Sequence, residues 1–151
     1  MAEGAWRNDD GVATWSAFLR AHAAVVRRIE GQLERGARLP LGWYDVLLEL
    51  NAAPSRRLRM LDLGEAAVLS RSRVSRLVDE LCTAGLVERQ SNPADRRSSF
   101  AAITTEGRRV LRRAAPIYLR AVREQFASAL SPEQLRVIRT SMETLLDSSQ
   151  R

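Results

Sequence analysis

The sequence predicts a mainly helical fold with one small β-hairpin. Apolar residues recur at helical spacing along most of the 151-residue chain, which favours amphipathic helices. Between residues 86 and 103 the pattern alternates instead, as in β-strands, and the polar sequence NPADRR divides it. A chain of this length has room for one hydrophobic core, so we expect a single domain over residues 1–151.

The first part of the chain is predicted to form two longer helices and one short helix. An apolar stripe runs through residues 13–36, and WYDVLLEL begins a second helix at Trp43 that must end before Pro54. The sequence RRLRM at 56–60 is short, basic and extended in character. LDLGEAA at 61–67 then predicts a helix of about two turns.

The helix predicted at residues 69–81, LSRSRVSRLVDEL, has two contrasting faces. From Val74, apolar residues recur at i, i+3, i+4 and i+7, so one face is suited to a core. Ser70 is a good N-cap, and Gly85 fits the position after the helix C-terminus. The opposite face carries three arginines and two serines, Arg71, Ser72, Arg73, Ser75 and Arg76. Because serine competes for backbone hydrogen bonds and adds little to helix propensity, the placement of this face needs another explanation.

A hairpin and two further helices are predicted after residue 85. The strands are 86–90 and 100–103, and Asn92, Pro93 and Asp95 supply the chemistry of the turn between them. Further along, Thr104 or Thr105 can cap a long helix, which Pro116 is expected to kink or locally break. The sequence SPEQ at 131–134 is a capping box that begins the last helix.

Composition narrows the partners and the compartment. The 24 basic residues are all arginine and exceed the 18 acidic residues, so the net charge of +6 favours an acidic polymer or surface as partner. One cysteine excludes an internal disulfide, and with His22 as the single histidine no ordinary metal site can be assembled. No stretch approaches about 18 consecutive apolar residues, so we expect a cytoplasmic protein with no membrane segment and no cofactor.

The predicted order of elements is that of a winged helix-turn-helix, in which the second helix of the motif lies in the major groove of DNA. Here that helix is 69–81. Arginine can donate two hydrogen bonds to guanine, and the short serines allow close approach to phosphates and base edges. The alternative is a solvent-exposed face in which Arg76 pairs with Asp79 or Glu80.

Three motifs around the hairpin are specific: GLVER at 85–89, DRR at 95–97 and ITTEG at 103–107. With them, residues 58–111 resemble the DNA-binding core of the MarR family of bacterial transcription regulators, which carries GLVxR, Asp-x-Arg and LTxxG at these places. The resemblance implies a winged helix-turn-helix core at 42–107 and dimerisation helices at 13–36 and 108–148.

The resemblance also implies roles for the hairpin. Its tip arginines, Arg96 and Arg97, can enter the minor groove, where narrow A·T tracts concentrate negative potential. Asp95 is expected to hold Arg97 or Arg89 in a fixed fork geometry; the alternative is an ordinary Asx turn. The residues expected at the DNA interface are Ser70, Arg71, Ser72, Arg73, Ser75, Arg76, Arg89, Asp95, Arg96 and Arg97.

MarR-type regulators commonly release DNA when a small, often aromatic and anionic effector binds between the dimerisation helices and the DNA-binding lobe. By element order, the residues nearest that junction are Trp15, His22, Trp43 and Asp45, and we expect them to line a pocket for a phenolic or purine-like compound. The alternative for both tryptophans is a place in the core or dimer interface. Cys82 is expected to be a half-buried filler rather than a peroxide sensor.

These expectations describe a homodimeric, sequence-specific transcription regulator, most simply a repressor, that binds a near-palindromic operator. One alternative is an architectural protein that binds nucleic acid without strong sequence preference, and another is a winged helix used only for protein contacts. An enzyme is not expected, because H-E-x-x-H, P-loop and G-x-S-x-G motifs are all missing from the sequence.

Overall fold

The computed structural model describes residues 9–95 and 97–148, which form two compact units. One unit is Leu33–Tyr118, and the other consists of the described parts of Met1–Gln32 and Leu119–Arg151. The elements are, in order, α1 (Asp10–Ala37), α2 (Leu41–Ala52), β1 (Arg57–Arg59), α3 (Met60–Ala66), α4 (Arg71–Thr83), β2 (Val87–Ser91), β3 (Ser99–Ile103), α5 (Thr105–Gln125), a 3₁₀ turn (Ala127–Ala129) and α6 (Pro132–Ser148). This confirms the predicted fold class, mainly α with a small β-hairpin.

Local capping fixes both ends of α4. The Ser70 hydroxyl accepts a hydrogen bond from the Arg73 N–H at 3.3 Å, as an N-cap does. At the other end Gly85 has φ +71°, and the Leu86 N–H donates to the Leu81 carbonyl at 2.9 Å. That pairing across a left-handed residue is the Schellman motif. Both predicted ends of this helix are therefore confirmed.

The sheet has three strands, one more than the predicted hairpin. Strand β3 is central and pairs antiparallel with β2 on one side and with β1 on the other. Strand β1 comes from the basic RRLRM segment, and Arg57 stands opposite Ala102. The sequence indicated that this segment is extended, but its partner strand lies far along the chain and no local pattern identifies it.

The unit Leu33–Tyr118 has one hydrophobic core, which α2, α3, α4, the sheet and the start of α5 share. Its fully buried side chains include Leu33, Val46, Leu47, Leu50, Leu63, Val78 and Leu81. The apolar face of α4 is part of this core, since Val74, Leu77, Val78 and Leu81 are all buried. Consequently the arginine and serine face of the same helix is turned outward.

The start of α5 is packed against the segment between α4 and β2. The Thr104 hydroxyl accepts from the Gly107 N–H at 3.0 Å and donates to the Gly85 carbonyl at 2.8 Å, so Thr104 is the cap. A Cβ atom on Gly107 would lie 2.1 Å from the Leu86 carbonyl oxygen. Only glycine therefore fits this approach of helix to backbone.

Pro116 was expected to kink or locally break its helix, and the break does not occur. Helix α5 continues from Thr105 to Gln125 with Pro116 inside it. A proline removes the hydrogen bond to the carbonyl four residues earlier, here Arg112. Both residues are exposed, so water can satisfy the freed carbonyl and the helix can tolerate the proline.

The other unit contains the amino-terminal part of α1 and all of α6. The predicted capping box is present: the Ser131 N–H donates to Gln134 Oε1 at 2.9 Å, and the Gln134 N–H donates to Ser131 Oγ at 3.2 Å. No residue of α6 is buried within this single chain. Large apolar side chains of this unit are exposed, namely Val12, Trp15, Phe18, Leu19, Leu119, Val137 and Leu146.

Candidate nucleic-acid interface

The outward face of α4 presents most of the residues predicted to contact DNA. Ser70, Arg71, Ser72, Arg73 and Arg76 are exposed, and Ser75 is half-buried. Within residues 9–95 and 97–148, neither Arg71 nor Arg73 forms an ion pair within 4.0 Å. Two guanidinium groups on this face are thus available to an external acceptor.

Arg76 has the intrahelical partner that the solvent-exposed alternative required, although the pair is weak. Its Nε lies 3.9 Å from Glu80 Oε1, with both side chains largely exposed. Exposed ion pairs of this kind contribute little because water competes for both charges. The other Glu80 oxygen accepts a 3.0 Å hydrogen bond from Trp43 Nε1 on α2. Glu80 is held in place by α2, whereas the Arg76 guanidinium can still reach outward.

Arg89 is bound to α4 instead of being free at the interface. Its Nε and Nη2 atoms donate to Asp79 Oδ1 at 3.2 and 2.8 Å, and Nη2 also donates to Ser75 Oγ at 3.3 Å. Because Arg89 belongs to β2, these bonds join the base of the hairpin to the middle of α4. Sequence reasoning missed Asp79 in this role, although the spacing of Ser75 and Asp79 on one helix face was a visible signal.

The expected role of Asp95 as the holder of Arg89 or Arg97 is wrong. Its carboxylate accepts a 2.9 Å hydrogen bond from the backbone N–H of Arg97, which is the Asx-turn alternative. The guanidinium of Arg89 is bound to Asp79 instead, at 2.8 Å. Arg96, also predicted at the interface, lies outside the described residues.

A groove joins α4, α3 and the hairpin into one surface. Its volume is about 480 Å³, and four arginines line it: Arg59, Arg71, Arg89 and Arg97. Ser75, Ser98 and Ser99 add hydroxyl groups, while Asp62 and Asp95 are its acidic residues. The structure therefore brings Arg71, Ser75, Arg89, Asp95 and Arg97 together. Arg59 was not among the predicted residues, although the basic character of RRLRM signalled it.

Comparison with known proteins identifies relatives of this chain by sequence. The MarR family sequence model matches residues 39–98. Transcriptional regulator HosA of Escherichia coli O111:H- is 38% identical over 72 residues, which are 48% of this chain. The match spans only 53% of HosA, about half of its length.

Comparison with solved structures extends the match over almost the whole chain. Sco3205, a MarR family transcriptional regulator from Streptomyces coelicolor solved in complex with DNA, is 36% identical with a TM-score of 0.84. The alignment covers 92% of this chain and 87% of Sco3205. The chain belongs to the MarR family. AbsC, a MarR family regulator from the same organism, is 28% identical with a TM-score of 0.84, over 94% of this chain and 96% of AbsC.

Membership of the MarR family bears on one of the classes considered from sequence, the enzymes. MarR family proteins are transcriptional regulators and not enzymes, so the enzyme reading is excluded. Within the described ranges, no group of three or more histidine, cysteine and carboxylate side chains is arranged to hold a metal ion. In residues 9–95 and 97–148, no helix has both the length and the apolar character needed to cross a membrane.

Trp43, one of the residues predicted to bind an effector, lines a second cavity of this MarR family chain. The cavity has a volume of about 410 Å³. Its apolar wall is made by Trp43, Leu39, Val110 and Ile117, and Arg38 and Arg113 supply positive charge. Asp45 is not among its lining residues, because two positions along a helix turn a side chain by about 200°.

Asp45 instead lies on the side of α2 near Tyr44, Tyr118 and Glu49. Burial is the main cause that raises its pKa to about 6, and the negative charge of Glu49 raises it further. The positive charge of Arg73 on α4 acts in the opposite direction. The rings of Tyr44 and Tyr118 stack with centroids 4.4 Å apart. Asp45 is thus electrostatically linked to a residue of the candidate interface.

Three further residues singled out from the sequence, Trp15, His22 and Cys82, lie outside the cavity at Trp43. Trp15 and His22 lie on the exposed part of α1, in the other unit, where Phe18 stacks on Trp15 at 5.8 Å and lies 6.0 Å from the His22 ring. Cys82 is a half-buried free thiol on α4, and burial raises its pKa. A raised pKa disfavours the reactive thiolate, consistent with a packing role.

Proposed function

We propose that this MarR family chain is a sequence-specific DNA-binding transcription regulator that acts as a homodimer. The observation that carries the proposal is the outward face of α4, where Arg71 and Arg73 have no ion-pair partner within the described ranges and stand beside a groove lined by Arg97. Helix α4 would enter the major groove of DNA, and the hairpin would contact the adjacent DNA backbone or minor groove. Sco3205, which shares the fold, was solved in complex with DNA.

The two parts of the interface are proposed to have different tasks. Arg73 and Arg76 lie one helical turn apart on α4 and can donate paired hydrogen bonds to guanine edges. Arg97 belongs to the hairpin tip and Arg96 precedes it in the sequence, and contacts of this region to phosphate and to a narrow minor groove would fix orientation. Arg89 is assigned to a positioning role, since Asp79 and Ser75 already occupy its donors.

Alanine substitutions should separate these tasks. Replacing Arg73 or Arg76 should cost about 1–3 kcal/mol at the preferred operator and relax the preference at particular base pairs. Replacing Arg97 or Arg96 should weaken binding to every sequence alike and flatten the salt dependence by about one unit per lost phosphate contact. Titrations of operator and random DNA at several salt concentrations measure both effects. If all four variants lost the same affinity for operator and for random DNA, the proposed separation of base reading from phosphate contact would be contradicted.

Dimer formation is proposed from the exposed apolar side chains of the other unit. Trp15 is 59% exposed, and Phe18 and Leu19 on α1 and Val137 and Leu146 on α6 are exposed as well. Scattered exposed apolar residues are ordinary, but this many on two helices indicates a surface that another protein covers. Burial against a second copy of the chain would be isologous and would relate two α4 helices by a two-fold axis.

Sedimentation should therefore show a dimer at micromolar concentration. Trp15→Asp should shift the protein to monomers, because an unpaired carboxylate would be buried in the interface. Leu48→Asp, at an exposed position of α2 in the unit that carries α4, is the matched control and should leave the dimer intact. The preferred DNA should be near-palindromic, with half-sites about 34 Å apart. A wild-type monomer, or preference for one asymmetric half-site, would contradict the proposal.

Repression relieved by an effector is the form of regulation we propose, and the cavity at Trp43 is its candidate site. An aromatic body fits the wall of Leu39, Trp43 and Ile117, and an anionic group fits Arg38 and Arg113. The proposal rests on this cavity and not on Trp15, His22 or Asp45, which do not line it. The effector must bind the DNA-incompetent state more tightly, since equal affinity for both states shifts nothing.

Tryptophan fluorescence gives a direct readout of this cavity. A phenolic carboxylate such as 4-hydroxybenzoate should quench the fluorescence over the same concentration range that frees operator DNA. Trp43→Phe and Arg113→Ala should each weaken both effects, whereas Trp15→Phe should leave the midpoint of release unchanged. If the ligand released DNA with the same midpoint in Trp43→Phe and Arg113→Ala, the effector would bind elsewhere.

A further inference from the structure

Val68 has a backbone conformation that its side chain disfavours. It lies in the turn between α3 and α4 with φ +55°, in the left-handed region. Arg38 and Arg56 also have positive φ, but Val68 is the β-branched residue among these non-glycine positions of the described chain. A β-branched residue with positive φ is a true outlier, because its branched Cβ crowds the backbone.

The conformation is required by the way in which α3 ends. The Val68 N–H donates to the Glu65 carbonyl at 3.1 Å, and the Leu69 N–H donates to the Gly64 carbonyl at 2.7 Å. These two bonds place Val68 in the left-handed position after a helix, where glycine or asparagine is usual. A glycine would make the same turn without strain.

The valine side chain also gains nothing from the fold of this chain. It is 90% exposed, the most exposed of the large apolar residues in residues 9–95 and 97–148. A side chain in water contributes no burial energy to offset the backbone strain. Within the folded chain, the backbone strain at Val68 is therefore not offset by burial of its side chain. This indicates that the side chain is useful when a binding partner covers it.

We propose that Val68 makes an apolar contact with DNA, a proposal that rests on the proposed DNA-binding function. Val68 is two residues before Ser70, the N-cap of α4, and three before Arg71, whose side chain is exposed. The amino-terminal end of such a helix is the part that meets base edges and the adjacent backbone. There DNA offers apolar carbon surface as the thymine 5-methyl group and as deoxyribose carbons.

Three variants test the contact. Val68→Gly and Val68→Asn keep the left-handed turn but remove the apolar side chain, whereas Val68→Ile keeps both the branch and the apolar surface. We expect the midpoint of thermal unfolding of Val68→Gly to rise by about 1–4 °C, because the strain is relieved. Its affinity for DNA selected from a random pool should fall about three- to tenfold, and so should that of Val68→Asn. Val68→Ile should bind within about twofold of wild type.

The opposite signs of the two effects distinguish a contact from a structural defect, since a more stable protein that binds less tightly has not lost its fold. Unchanged affinity in Val68→Gly, or an equal loss in Val68→Ile, would overturn the proposal. Operators with deoxyuridine in place of thymine then identify the source: a loss at one position in wild type but not in Val68→Gly indicates the methyl group, and no such position indicates deoxyribose. The selection with the wild-type protein is done first. If it yields no preferred sequence, the proposed function itself fails and the variants are not compared.

Discussion

Replacing Gly107 with alanine is expected to lower the free energy of unfolding by about 3 kcal/mol. The added Cβ would lie 2.1 Å from the Leu86 carbonyl oxygen and 2.8 Å from Ile103 Cγ1. The first neighbour is backbone and cannot rotate away, so α5 must shift away from Leu86 or lose its Thr104 cap. Urea denaturation followed by circular dichroism measures the change as a lower midpoint at unchanged slope.

Gly42→Ala is the matched control for this substitution. Its new Cβ would lie 3.3 Å from Leu77 Cδ1, the end of a side chain that can adjust. Gly42 is also in the first turn of α2, where alanine has the higher helix propensity. We expect its free energy of unfolding to stay within about 0.5 kcal/mol of wild type. Equal stability of Gly107→Ala and wild type would show that α5 does not need the close approach.

Asp79→Ala and Arg89→Ala are expected to lower operator affinity about tenfold each, with little further loss in the double variant. Their ion pair of 2.8 Å connects the middle of α4 to β2, and Ser75 shares the same guanidinium. Losing either partner frees the hairpin from α4, so the two DNA-contacting parts are no longer held together. Contacting residues show such non-additive energies, with couplings of about 0.5–3 kcal/mol.

The double-mutant cycle also distinguishes positioning from direct contact. If Arg89 itself bound DNA, Arg89→Ala would still lose affinity in the Asp79→Ala background. Arg109→Ala, which removes an arginine from an intrahelical pair with Glu106 on α5, is the control for loss of one positive charge. Full additivity of Asp79→Ala and Arg89→Ala would contradict the positioning role.

Features that depend on nearby residues were predictable from the sequence. The Ser70 cap, the Gly85 terminus and the 131–134 capping box each follow from bonds made within a few residues. The two faces of α4 were predictable for the same reason, because helical spacing alone separates Val74 and Leu77 from the arginines.

Features that depend on packing between distant segments were not predictable in this way. The pairing of β1 with β3 and the bonding of Arg89 to Asp79 join elements whose relative position only the fold determines. The Asp95 error has the same origin, since a carboxylate near several arginines can accept from any of them or from backbone. Pro116 is the converse case. The local rule that proline breaks a helix fails here, because at an exposed position water can bind the carbonyl that proline leaves without a partner.

The proposed function requires the outward face of α4 to distinguish one DNA sequence from another. The most direct measurement is the affinity of the wild-type protein for DNA selected from a random pool, compared with random DNA at the same salt concentration. We expect a near-palindromic selected sequence, bound about 10³-fold or more tightly than random DNA. Tight binding with a ratio near one would indicate an architectural protein, and no binding to any DNA would indicate a winged helix used for protein contacts. Either result would overturn the proposed function.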